Sequence, residues 1–262
     1  MSDELRIALV QMTVTDGDAE ANWRRAAGMI RNAPPADVYL VPELFTTGYA
    51  HDRWATSAAQ DTPRIATALR DLARERSATI GASMISSVPT GLANRFWLFP
   101  PDGGTPVTYD KAHLFAPMAE DRHLVAGDRR VRAAVGPWNA ALSICFDLRF
   151  PEMYRLDAVQ GADLFLVVAE WPAERAAILR ALAIARAIEN QAYLALVNRV
   201  GRAATDGTAF GGGSMLVGPD GSIVVDAGTS EGVVVGVAER AAPARARSAL
   251  PVLPLRRPGL DF

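Results

Sequence analysis

The sequence predicts a layered α/β fold built on mixed β-sheets, and two observations carry that expectation. Short apolar runs of strand length alternate with segments of helical periodicity through the first and last thirds of the chain. Between them, 93–100 and 105–111 flank the turn sequence PDGG at 101–104, which reads as an antiparallel hairpin. Helices on both sides of β material imply layers packed around a shared core, with parallel and hairpin-linked strands in the same sheets.

The elements follow in order. Residues 6–12 read as a buried strand, and 18–31 as a helix with Asp16 or Asp18 available as its cap. A short apolar strand at 37–43 comes next. Residues 62–76 place Ile65, Leu69, Leu72 and Ala73 at helical spacing ahead of a strand at 78–85. Beyond the hairpin, strands near 130–135 and at 140–145 lead to a helix from Pro151 to about 160. A strand at 163–169, a long helix at 172–191 and a strand at 192–200 follow. A hairpin through 218–221 and a strand at 232–238 close the series. Gly211, Gly212 and Gly213 lack both the lysine of a phosphate loop and the spacing of a dinucleotide fingerprint, and read as a turn. With no low-complexity linker, 1–262 reads as one domain, and 241–262, rich in proline and arginine, as an extended tail.

Composition narrows the function. Half of the 262 residues are hydrophobic, 21% are charged and the formal net charge is −2, so nothing favours nucleic acid or an anionic membrane as a partner. No apolar run is long enough to span a bilayer or to form a signal-peptide core. Together with a single cysteine, this points to the cytoplasm. His51, His113 and His123 form no metal-ligand spacing, so neither a metal nor a cofactor is expected.

The lone thiol, Cys145, serves either packing or reactivity. It ends the apolar run at 140–144. Glu43 and Lys111 hold equivalent places, each ending a predicted strand and opening a turn. Loops beyond strand ends are where reactive groups gather in α/β proteins, so the three can converge at one mouth; taken alone, Glu43 and Lys111 read first as surface charges and Cys145 as a packed thiol.

Three segments, PELFTTGY at 42–49, YDKAHLF at 109–115 and SICFDLRFPE at 143–152, resemble in order the signatures of the carbon–nitrogen hydrolase (nitrilase) superfamily. The resemblance covers nearly the whole chain. It implies a four-layer αββα sandwich of two mixed sheets and a homodimer with helices of two subunits against each other. It also implies a Glu–Lys–Cys triad at Glu43, Lys111 and Cys145, with a second glutamate at Glu120. From the residues alone, Glu120 reads equally as a solvated loop carboxylate beside Asp121. Further segments, EWPAER at 170–175, ARAIENQAY at 185–193 and NRVG at 198–201, look most like the bacterial ω-amidase branch, which hydrolyses monoamides of short dicarboxylates such as 2-oxoglutaramate and 2-oxosuccinamate. One departure stands out. Glu170 occupies the place where that branch has asparagine, and a carboxylate bordering the pocket would repel an anionic substrate.

The implied chemistry suits these residue types. Amide hydrolysis through a covalent intermediate needs a nucleophile, a proton carrier and a place for negative charge. Cys145, Glu43 and Lys111 supply them, with the main-chain N–H of Phe146 as a second oxyanion donor. A substrate carboxylate calls for arginine, and Arg149 and Arg175 are nearest, although Arg149 is also placed to pair with Asp147 or Glu152. Tyr49, Trp171 and Phe45 are candidate pocket walls, with core packing the default reading of each. Amidases of N-carbamoyl amino acids or of deaminated glutathione share this chemistry. A non-catalytic scaffold on the same fold is the rival of a different class. The residue after the cysteine is Phe146 rather than the tryptophan expected of nitrilases, which argues against nitriles.

Overall fold

The computed structural model describes residues 3–257. The first half runs β1 (Glu4–Gln11), α1 (Ala19–Asn32), β2 (Val38–Leu40), α2 (His51–Thr56), a π-helical stretch (Ser57–Asp61), α3 (Thr62–Arg76), β3 (Thr79–Val88), β4 (Gly91–Phe99), β5 (Val107–Asp110) and the one-turn α4 (Glu120–His123). The second runs β6 (Arg132–Val135), β7 (Trp138–Ile144), α5 (Pro151–Val159), β8 (Leu164–Ala169), α6 (Ala176–Asn190), β9 (Tyr193–Asn198), β10 (Val200–Arg202), β11 (Ala209–Gly211), β12 (Met215–Val217), β13 (Ile223–Asp226), β14 (Gly232–Glu239) and α7 (Ala242–Ala249).

Two six-stranded sheets form, ordered β14-β1-β2-β3-β4-β5 and β13-β12-β9-β8-β7-β6. In each, three parallel strands lie at the centre (β1, β2, β3 and β7, β8, β9) and antiparallel strands flank them. Helices α1 and α3 cover one face of the first sheet, where Ala26, Ile30, Ile65 and Leu69 meet Val10, Tyr39 and Ile80. The opposite face packs Ile7, Leu9 and Phe96 against Leu142, Leu166 and Ala195 of the second sheet, whose outer side takes Tyr154 of α5 and Leu179, Ala183 and Ala187 of α6. The expected αββα layering with mixed sheets is what forms.

Most elements fall where periodicity places them, and the differences have local reasons. Asp18, not Asp16, caps α1 by accepting from the Ala21 N–H at 3.0 Å. Strand β2 stops at Leu40, so Glu43 lies beyond it in a turn rather than at its last position. The long helix begins at Ala176, after a 3₁₀ turn at Ala173–Arg175. Helix α2 was not expected: His51–Thr56 offers one buried apolar residue, Trp54, and no capping side chain. The tail from 241 is not extended at its start, because α7 forms at Ala242–Ala249, held by Gln191 Nε2 donating to the Ala246 and Leu250 carbonyls; residues 258–262 lie outside the described residues. Of the three glycines expected in a turn, Gly211 instead ends β11 opposite Val200, and only Gly212 (φ +66°) and Gly213 (+76°) lie between β11 and β12. Among the described residues, no helix is long and apolar enough to cross a membrane.

Candidate active site

The C-terminal ends of the parallel strands from both sheets meet at one place, and they bring the sequence-selected residues together. Glu43 follows β2, Cys145 follows β7 and Glu170 follows β8, while Lys111 follows the antiparallel β5. Glu43, Lys111 and Glu120 are all fully buried. Lys111 Nζ donates to Glu43 Oε1 at 2.7 Å and to Glu120 Oε1 at 2.8 Å. Glu120 is therefore no solvated loop carboxylate. It also accepts from Tyr49 Oη at 3.0 Å and, through Oε2, from the Phe115 N–H at 2.6 Å.

Backbone strain is concentrated on this group. Among the described residues, five other than glycine have φ in the left-handed region: Leu44, Ser77, Ala119, Cys145 and Gln191. Ser77 and Gln191 cap the C-termini of α3 and α6, where that conformation is usual. The other three are Cys145 itself (φ +46°), the residue after Glu43 (Leu44, +44°) and the residue before Glu120 (Ala119, +58°). Such conformations cost on the order of 1–3 kcal/mol each and persist where surrounding contacts over-determine them. At Cys145 those contacts come from Asp147, fully buried, which accepts from the Ile144 N–H (2.9 Å), Tyr109 Oη (2.7 Å) and the His113 N–H (3.0 Å). The result is a sharp turn presenting the thiol into a cleft.

Burial sets the protonation states. It pushes the Cys145 thiol well above its ordinary range, and the charge of Glu43 adds to this more than Lys111 offsets it. Burial likewise raises the pKa of Glu43; Lys111 opposes the shift and Glu120 reinforces it. Burial disfavours the Lys111 ammonium, but Glu120 and Glu43 outweigh that cost and its pKa is raised. At rest the thiol is neutral, beside the Glu43 carboxyl and the Lys111 ammonium, both of which act on it.

The cleft over Cys145 is lined by Phe115, Phe146, Arg149, Glu170, Trp171 and Arg175, together with Pro172. It is narrow: its ≈ 270 Å³ of empty space includes open solvent, and only ≈ 10 Å³ of it has room for the centre of a water-sized sphere. Phe146 sits between Phe115 and Phe150 with ring centroids at 5.0 and 5.4 Å. Arg149 does not pair with Asp147, whose oxygens are committed to the turn; its guanidinium lies 5.2 Å from the Trp171 ring centroid. Arg175 lies 5.7 Å from the Phe115 ring and pairs with Glu174. Tyr49, expected on the pocket wall, is not among the lining residues; its hydroxyl serves the carboxylates behind them. Phe45 is core packing. Glu170 is not an unpaired carboxylate: its Oε1 accepts from the buried Arg199 Nη1 at 3.0 Å. Arg199 is held in turn by Asp16 (3.3 Å) and the Val14 carbonyl (2.7 Å). Gly48 makes room for this pair: a Cβ there would lie 2.6 Å from Asp16 Oδ1 and 3.0 Å from Arg199 Nη1.

Two contributors escaped sequence reasoning. Asn94 of β4 donates to Glu43 Oε1 at 2.7 Å while its own Oδ1 accepts from Ser83 Oγ at 2.6 Å. The Asp16–Arg199–Glu170 chain joins residues 183 positions apart. Among the described residues there is no cluster of His, Cys, Asp and Glu that could hold a metal ion.

Similarity to known proteins agrees with this geometry. The carbon–nitrogen hydrolase family model matches residues 6–245. The ω-amidase YafV of Escherichia coli K12 is 39% identical over 223 residues, covering 85% of each chain. The 2-oxoglutaramate amidase of Bacillus subtilis is 30% identical over 248 residues, covering 94% of this chain and 95% of its own. Among solved structures, a glutamate-to-glutamine mutant of an amidase from Nesterenkonia sp. AN1, with the acetamide moiety of fluoroacetamide added covalently at its active-site cysteine, superposes with a TM-score of 0.87 at 29% identity, covering 98% of this chain and 95% of that one. The fold, the convergence of Glu43, Lys111 and Cys145 and these similarities have one reading: the chain belongs to the carbon–nitrogen hydrolase family.

Proposed function

We propose that the protein is an ω-amidase that hydrolyses short dicarboxylate monoamides, such as 2-oxoglutaramate or 2-oxosuccinamate, through a thioester on Cys145. The observation that carries this reading is a buried thiol beside the buried Glu43 and Lys111, beneath a small cleft bearing two arginines, Arg149 and Arg175. The cleft suits a short acyl chain, and the arginines suit the carboxylate at its far end. Relatives named for ω-amidase and 2-oxoglutaramate amidase activity support the substrate class.

In this mechanism Glu43 takes the thiol proton as the sulfur attacks the amide carbon. The oxyanion forms against Lys111 Nζ and the Phe146 N–H. A unit charge at about 4 Å from the ammonium gains on the order of 4 kcal/mol at an effective dielectric near 20. The C–N bond breaks as Glu43 returns the proton to the departing ammonia. Glu43 then takes a proton from water, whose oxygen attacks the thioester carbon, and the thiol leaves with that proton restored. The net change is amide plus water to acid plus ammonia. The raised pKa of Glu43 brings its proton affinity toward the operating pH, where a group that both takes and gives protons works best. Tyr49 and Glu120 hold Lys111 and Glu43 in place without reaching the cleft.

The test is ammonia release across 2-oxoglutaramate, 2-oxosuccinamate, N-carbamoyl amino acids, deaminated glutathione and simple nitriles, with Cys145→Ala as control. Turnover confined to the first two, and lost in the variant, is expected. Turnover of the N-carbamoyl or glutathione-derived amides alone would move the assignment within the family, and an inert wild type would favour the scaffold reading. A reducing compartment such as the cytoplasm suits a free thiol nucleophile. The exposed Leu156 and Val159 of α5, with Ile178 and Ile188 of α6, suit a homodimer across these helices. Sedimentation of a Leu156→Asp, Val159→Asp double variant as a monomer, against a dimeric wild type, is the expected result.

A further inference from the structure

Glu170 is not needed for the chemistry above, yet it lines the cleft with Cys145 and is 1% exposed. Its two carboxyl oxygens differ. Oε1 accepts from Arg199 Nη1, whereas Oε2 is buried with no hydrogen-bond partner among the described residues. A buried polar atom without a partner is costly, and a ligand group that satisfies it recovers that cost. Because Oε1 is committed as an acceptor, a proton on this carboxyl resides on Oε2 and makes it a donor. The charged and titratable groups around it are Arg199, Glu43 and Asp16, with Tyr49 behind and Cys145, Arg149 and Arg175 across the cleft. The Glu170 main-chain N–H donates to Glu43 Oε2 at 2.8 Å, which fixes the side chain's starting point beside the reacting end of the cleft.

Resting on the amidase reading, we propose that Glu170 is a specificity residue whose protonated Oε2 donates a hydrogen bond to an oxygen of the bound acid amide, so that the cleft accepts an anionic ω-amide only while this carboxyl is neutral. Once ionised, Oε2 offers negative charge and no donor to a substrate that is itself an anion, in a region already holding Glu43 and Glu120. A neutral amide lacks that repulsion. The environment places the switch in a testable range. Burial raises the Glu170 pKa to about 8, with Arg199 opposing the shift and Glu43 reinforcing it. Glutamine at 170 reproduces the neutral form: its oxygen accepts from Arg199 and its Nε2 donates where Oε2 stood.

The experiment measures KM at pH 7 and pH 9 for 2-oxosuccinamate, which stays anionic, and for propionamide, which is neutral, in wild type and Glu170→Gln. The expected result is a rise of about tenfold in the wild-type KM for 2-oxosuccinamate, the ratio of ionised to neutral carboxyl one unit above its pKa. The KM for propionamide stays flat, and Glu170→Gln is flat for both substrates. A rise that persists in Glu170→Gln, a rise shared by propionamide, or no rise in wild type overturns the proposal. Glu43, Tyr49, Lys111 and Cys145 titrate whichever substrate is present, so the propionamide arm separates them from Glu170. Calorimetric Kd of 2-oxosuccinamate on Cys145→Ala, with and without Glu170→Gln, gives the same comparison without turnover. If no amide is hydrolysed but Kd still weakens tenfold only where Glu170 is present, the specificity role stands and the amidase reading falls.

Discussion

Asn94 holds Glu43 and Lys111 at once: its Nδ2 donates to Glu43 Oε1 at 2.7 Å, and its main-chain oxygen accepts from the Lys111 N–H at 2.9 Å. One residue of β4 thus sets the position of a carboxylate and the ammonium it faces. Ser83 fixes the rotamer by donating to Asn94 Oδ1 and accepting from the Leu44 N–H. Asn94→Ala removes a hydrogen bond to a charged group, worth about 1.5–3 kcal/mol. If that bond orients Glu43 for proton transfer, kcat/KM falls about 10- to 100-fold with the fold intact, by steady-state kinetics alongside circular dichroism. An Asn94→Ala enzyme at wild-type efficiency would show that Lys111 and the Glu170 N–H position Glu43 without it.

Lys111 is the only cation bonded to Glu43 and Glu120 among the described residues. Lys111→Met leaves both carboxylates buried and facing each other. Removing one partner of a buried ion pair typically costs about 3–5 kcal/mol. Urea unfolding at pH 7 should show a loss of that size together with loss of ammonia release, and part of the stability should return at pH 5, where one carboxyl takes up a proton.

The left-handed backbone at Cys145 gives a stability signature. Glycine ordinarily costs about 0.5–1 kcal/mol against alanine, but at φ +46° alanine carries a strain of roughly 1–2 kcal/mol that glycine does not. Cys145→Gly is expected to match or exceed Cys145→Ala in urea midpoint, although both are inactive. A clearly less stable glycine variant would mean that the turn relaxes once the thiol is gone.

Histidine accounts for one part of the pH dependence of stability. His51 stacks on His123 at 4.6 Å and meets Trp54 edge-on at 4.5 Å. Burial, then the neighbouring His123, lowers its pKa below the ordinary histidine value. The folded state therefore binds this proton less readily than the unfolded chain. The contribution is full above the unfolded value near 6.5 and is lost as pH falls below it toward the folded pKa. Thermal melts between pH 5 and 7.5 should show the decline, and His51→Gln should reduce its slope; an unchanged slope would assign the decline to other groups.

How much of this was legible in the chain depends on how far apart the partners lie. Glu43, Lys111 and Cys145 each sit in a recognisable local segment, and strand periodicity placed the flanking elements within a few residues. Asn94 carried no such mark, because a polar residue inside β4 looks like an outward-facing position until the partner strand supplies Glu43. Asp16 looked like a helix cap because capping is a local rule, while its real partner, Arg199, comes from the other sheet. Arg149 beside Asp147 looked like an ion pair because sequence neighbours were the only candidates visible; in the 3₁₀ turn at Cys145–Arg149 the Asp147 oxygens take the Ile144 and His113 N–H groups and Tyr109, while Arg149 lies over Trp171. Helix α2 was missed because one apolar residue sets no period.

Strand β14 pairs with β1 along its whole length, Glu4 opposite Glu239 through Gln11 opposite Gly232. On the ribosome, β1 emerges more than 200 residues ahead of its edge partner, Gln11 preceding the opposite Gly232 and Glu4 the opposite Glu239. Until about residue 239 has been synthesised, the first sheet carries an open edge of Ile7, Leu9 and Val10. Chains that stall or are cut before β14 should therefore be the species that chaperones capture and that aggregate, whatever the state of the active-site residues already in place.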